Sequence, residues 1–157
     1  METDNKILIA FDDSENAMRA VEHVAKFFNP GNQVALFSVL QDTVSIFTMN
    51  HPELTSYFLA QQANFTELEE QQKTIVKRAQ QKAKTILLQA GFQADNIVIK
   101  AQVKKNGIAR DIIDFASGYS IIVMGRRGLS GIQEFFLGSV SQKVLHSVKD
   151  TSVLIVN

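Results

Sequence analysis

The chain has no cysteine, which excludes disulfides and thiolate metal sites and fits a reducing compartment. It has no run of 18 apolar residues and no basic-then-apolar opening segment, so neither a membrane span nor a secretory signal is expected. It has no excess of either charge. Lysine plus arginine and aspartate plus glutamate number 16 each, so nothing global steers it toward nucleic acid or an anionic membrane. The common nucleotide fingerprints are missing too: there is no G-x-x-x-x-G-K-[ST], and no G-x-G-x-x-G follows the first strand. The three histidines, His23, His51 and His146, show no ligand spacing and read as surface or helix-packing residues. The expectation is a cytoplasmic protein without nucleic-acid or membrane partners, and 157 residues suit one domain over 1–157.

What is present is alternation of apolar runs with helical patterns. Residues 6–11 and 34–40 are almost wholly apolar, as strands covered on both faces are. Between them Ala17, Val21, Val24, Ala25 and Phe28 fall at helical spacing, with Asp13 or Ser14 as the cap. Leu68, Ile75, Ala79, Ala83, Ile86, Leu87 and Ala90 mark a long amphipathic helix that Gly91 ends. A third strand at 97–103 alternates apolar residues with Lys100, Gln102 and Lys104, which suits a sheet edge. Asn106 is expected to cap the next helix. A fourth strand, a fourth helix and a last strand follow. The 41–65 segment has aromatics without a period and reads as an insertion with a short helix after Pro52. The element order implies an α/β fold, a doubly wound five-stranded parallel sheet with helices on both faces.

The organising stretch runs from Gly125 to Ser139. An apolar strand, Ile121-Ile122-Val123-Met124, empties into a glycine-studded loop that feeds a helix carrying Val140, Val144 and Val148. A helix start offers unpaired N–H groups and a positive dipole end, and glycine lets backbone approach an anion. That combination is a phosphate cradle. The spacing is Gly125-x2-Gly128-x9-Gly138-Ser139.

This spacing resembles the G-x2-G-x9-G-[ST] motif of the universal stress protein family, in its ATP-binding branch. The resemblance covers nearly the whole chain and least well the 41–65 segment. It implies strand order 3-2-1-4-5 and a site where the first and fourth strands end, at Asp12 and Gly125. The residues expected there are Ala10, Asp12, Val39, Met124, Gly125, Arg127, Gly128, Ser130, Gly138, Ser139 and Val140. Gly125 and Gly128 would admit ribose and phosphates. Gly138, Ser139 and Val140 would offer N–H groups, Ser130 a further phosphate contact, and Asp12 a ribose or base acceptor. Main chain at Val39 would recognise adenine beside Ala10, with Met124 packing on the nucleoside. Arg126 and Arg127 are either phosphate clamps or solvated. The ligand implied is ATP, with magnesium or manganese held through its phosphates.

The function implied is an ATP-binding, nucleotide-dependent regulator of stress response. The alternatives are a slow ATPase and a dimeric interaction module independent of nucleotide. No catalytic group stands out, since Glu134 is the one carboxylate in the loop and reads equally well as solvated. A receiver-type signalling domain is excluded, because the third strand ends in Lys104-Lys105-Asn106 with no aspartate to phosphorylate. The last strand, Ser152–Val156, is an apolar edge without a guarding lysine or proline, which predicts a homodimer through it.

Overall fold

The computed structural model describes residues 5–41, 51–127 and 137–157. Among them five strands form one all-parallel sheet: β1 Lys6–Ala10, β2 Gln33–Leu40, β3 Ile97–Val103, β4 Ile121–Gly125 and β5 Ser152–Val156. Their order is β3-β2-β1-β4-β5, the expected one. The helices are α1 Glu15–Phe27, α2 Thr55–Ala60, α3 Gln62–Gln89, α4 Ile108–Phe115 and α5 Ser139–Ser147.

Side-chain alternation along β1 assembles two cores. Ile7 and Ile9 point to one face, where Ala20, Val21 and Val24 of α1 and Ala83 and Leu87 of α3 cover them. Leu8 and Ala10 point to the other, under Ala109 and Ile112 of α4 and Val144 of α5. β1 is therefore buried on both sides, which is why its sequence shows no polar alternation. On the second face Phe37 of β2 stacks on Phe115 of α4, with ring centroids 4.1 Å apart.

Local chemistry sets the helix ends. Ser14 caps α1, its Oγ accepting the Ala17 N–H at 3.1 Å. Gly91, at φ +96°, closes α3. There the Phe92 N–H reaches the Leu87 carbonyl and the Gly91 N–H that of Leu88, a paired closure that left-handed glycine permits. The start of α4 departs from expectation. Asn106 does not cap it. Gly107 occupies the cap position at φ +123°, and the buried Asp111 carboxylate reaches back to accept the N–H groups of Lys105 at 2.7 Å and Asn106 at 3.0 Å. A carboxylate one turn inside the helix thus satisfies the loop from within.

The long helix also differs from its sequence reading. It begins at Gln62, directly after α2, and a short 3₁₀ turn, Pro52–Leu54, precedes that pair. Leu68 and Ile75 are not core residues: they are 52% and 50% exposed. Its buried row is Val76, Gln80, Ala83 and Leu87. Phe58 of α2, in the 41–65 segment, is buried, its ring edge-on to that of Phe65, whereas Tyr57 is exposed. Residues 42–50 of that segment lie outside the described residues.

Removing the Asp111 carboxylate orphans two backbone N–H groups. Asp111→Ala is expected to lose ~1–3 kcal/mol of unfolding free energy, read as a lower urea midpoint at unchanged slope. Asp111→Asn, which keeps one acceptor oxygen, should lose less.

Candidate functional site

Parallel sheets of this kind leave a crevice beyond the strand ends where strand order reverses. Here the reversal lies between β1 and β4, and a cavity of about 200 Å³ opens there. Its floor is set by register. Ala10 pairs with Met124 on one side and Phe37 on the other, and all three are buried. A small side chain between two large ones hollows the floor at that point. Val39, half-buried near the end of β2, stands at one side.

The rim carries the polar groups. Asp12 is half-buried, and its Oδ1 accepts the Ser14 N–H at 3.0 Å, a turn that leads the chain from β1 into α1. Ser14 itself caps the helix, so capping does not occupy Asp12. Opposite stands the start of α5. Its cap is Gly138, which has no side chain to turn back on the helix. Gly138 does not offer its own N–H, which donates to the Arg126 carbonyl at 2.9 Å. Ser139, Val140 and Ser141 are the first three helical residues, so their N–H groups have no intrahelical acceptor. All three residues line the cavity.

Of the residues expected at the site, Ala10, Asp12, Val39, Met124, Gly125, Arg127, Gly138, Ser139 and Val140 all line this one cavity. Gly128 and Ser130 lie outside the described residues. Arg126 lines a second depression with Arg19, not this one. Gly125 also has a packing reason to lack a side chain. A Cβ there would stand 2.7 Å from the Asn16 carbonyl carbon and 2.8 Å from its oxygen. Its bareness seats the first turn of α1 on the end of β4.

Sequence reasoning missed three contributors. Ser141 is buried, and its Oγ donates to the Gly125 carbonyl at 3.0 Å, tying α5 to the end of β4. Gln72 and Val76 supply a wall from α3. With Gln80 they form a row four residues apart, and Gln80 is 3% exposed. Its Nε2 donates to Ser38 Oγ at 2.9 Å and to the Lys100 carbonyl at 3.3 Å, which fixes α3 over β2 and β3. A scan for apolar spacing passes over a row built partly from glutamines.

A model of the universal stress protein family matches residues 5–157. The chain belongs to that family. It is 34% identical over 164 residues to universal stress protein Sll1388 of Synechocystis, covering 96% of each chain. The fold is shared with a universal stress protein solved in complex with cAMP, at 17% identity, TM-score 0.64 and coverage of 98% of this chain and 97% of that one. It is shared also with the Archaeoglobus fulgidus universal stress protein in complex with dAMP, at 16% identity and TM-score 0.57, with 98% and 97% covered.

The contact at Gly125 is tight enough to measure. Gly125→Ala should cost ~1–3 kcal/mol through overpacking, because the obstructing atoms include Asn16 backbone as well as its Cβ. Chemical denaturation checks this; stability equal to wild type would mean that α1 yields freely.

Proposed function

We propose that this universal stress protein binds an adenine nucleotide, ATP, in the cavity between β1 and β4 and acts as a nucleotide-dependent regulator of stress response. The observation that carries the reading is the N-terminus of α5, whose first three residues have no intrahelical acceptor for their N–H groups and line a cavity whose floor is apolar. A phosphate suits the former and a nucleoside the latter. Relatives of this fold in complex with cAMP and dAMP support it, since both ligands join adenine to a single phosphate. Ala10, Met124 and main chain at Val39 hold the nucleoside, and Asp12 accepts from the ribose or base. Gly128 and Ser130 extend the phosphate contacts in the spacing motif, and Arg127 adds charge at the rim.

A magnesium or manganese ion enters with the phosphates. Asp12 and Asp13 are the acidic side chains of the lining and suit a hard cation. Among the described residues no group of three or more histidine, cysteine or acidic side chains is arranged to hold a metal without phosphate. Absence of cysteine fits a cytoplasmic setting, and no helix among the described residues is long and apolar enough to cross a membrane.

Ser139→Pro tests the site at its key group. Gly138 is extended, at φ −58° and ψ 150°, as a residue before proline must be, and Ser139 is the first helical position, where proline is tolerated. The variant keeps the helix and deletes one N–H and one hydroxyl. Calorimetric affinity for Mg-ATP should fall tenfold or more while the thermal midpoint of the free protein holds. Unchanged affinity would place the phosphates elsewhere.

The same reading includes a homodimer through β5. Val153, Leu154 and Ile155 are half-buried on an edge with no strand beyond it among the described residues. The Ser152 N–H donates to Ser120 and the Val156 carbonyl accepts from Arg126, so even-numbered residues pair inward with β4. By the parallel ladder pattern, Val153 and Ile155 present their backbone groups outward. Ile155→Pro therefore deletes an outward donor while sparing the sheet. Sedimentation equilibrium should show a dimer for wild type and a monomer for this variant; a wild type monomeric at tens of micromolar overturns the dimer.

A further inference from the structure

Two polar features of the cavity do nothing to hold the fold. The first is main chain. β1 stops pairing at Ala10, opposite Phe37, and the Phe11 N–H takes the Phe37 carbonyl at 2.8 Å. β2 runs on past that point. The Leu40 carbonyl accepts the Lys104 N–H at 2.7 Å, so Leu40 turns its backbone groups toward β3. Successive residues of a strand turn them to opposite sides. The Val39 N–H and carbonyl therefore face past the end of β1, and neither has a hydrogen-bond partner among the described residues.

The second is Gln72. It is half-buried and lines the cavity from α3. Its amide forms no hydrogen bond among the described residues. Gln80, two turns on along the same face, uses its amide on Ser38 and the Lys100 carbonyl. That bond fixes the height of Gln72. α3 joins the parallel strands β2 and β3, so it runs opposite to them. From Gln80, level with Ser38, Gln72 lies about 12 Å toward the helix start. Val39 lies about 3 Å beyond Ser38 in the same direction. The free amide is thus rooted about 9 Å past the unpaired main chain. Val76, 6% exposed, stands one turn below it as an apolar cover. Peptide and amide each offer one donor and one acceptor. Together they suit a planar ring that hydrogen-bonds on two edges, and an amide meets the 6-amino group and N7 of adenine two bonds at a time.

We infer that Gln72 is a specificity-determining residue of the nucleotide cavity, its Nε2 donating to N7 and its Oε1 accepting from the 6-amino group of an adenine whose N1 edge lies on the Val39 main chain. The two hydrogens of the 6-amino group point to these two edges, so one base satisfies both partners. The inference rests on the adenine-nucleotide reading of the cavity.

The test is calorimetry of ATP and 7-deaza-ATP, which carries C–H in place of N7, on wild type and Gln72→Leu. Wild type should bind 7-deaza-ATP roughly fivefold more weakly than ATP. Gln72→Leu should bind ATP roughly tenfold more weakly than wild type and should no longer distinguish the two nucleotides. Leucine keeps the helix, so the thermal midpoint of the free protein should hold. ATP and 7-deaza-ATP weakened by the same factor in Gln72→Leu, or ATP affinity unchanged, overturns the inference and leaves the nucleotide reading standing. ATP that fails to bind wild type overturns both.

Discussion

Everything at the carboxyl end of this sheet depends on one close approach, that of the Asn16 backbone to Gly125. The first turn of α1 sits on the last residue of β4 with no room for a methyl group between them. That seating brings the β1–α1 turn, with Asp12 and the Ser14 cap, against the end of a strand it does not follow in sequence. The Gly125 carbonyl then takes the Ser141 hydroxyl, which brings in α5. One residue without a side chain therefore joins two helices to one strand end. The cavity between β1 and β4 is the space those contacts leave.

Around this junction, polar groups inside the protein fix positions that apolar packing alone leaves loose. Gln80 ties α3 to Ser38 and to the Lys100 carbonyl. Asp111 ties α4 to the loop before it. Hydrophobic burial is nearly indifferent to a small slide of helix over sheet, whereas a buried amide or carboxylate without its partner is costly. The two residues act as registration points, one on each face of the sheet, and both faces contribute walls to the site.

The sheet was legible in the sequence because burial on both faces leaves apolar runs that few other structures tolerate. Four such runs and one alternating strand, separated by helical periods, permit few topologies. The helix start beside the cavity was legible from glycine spacing. The features that escaped are those in which a polar residue takes a buried post. Ser141 looks like any serine one turn into a helix, and its acceptor lies sixteen residues earlier. Asn106 looked like a cap, yet a carboxylate five residues later satisfies its N–H. Leu68 and Ile75 looked like core because periodicity reports the phase of a helix and not how far it overruns the sheet. Arg126 lines only the second depression while its neighbour Arg127 lines both, a division that no spacing motif encodes.

The overrun of α3 has a mechanical meaning. The helix has 28 residues, about 42 Å at the standard rise. Its fully buried residues run only from Val76 to Leu87. It is a beam clamped at one end, with Gln80 as the pin and the Gly91 closure as the heel. Gln72, on the cavity wall, stands about 12 Å along the axis from that pin, and Gln62 stands about 27 Å from it. Any tilt about the pin therefore moves the free end a little over twice as far as it moves the wall. The geometry makes α3 a pointer whose short arm touches the site and whose long arm lies outside the sheet.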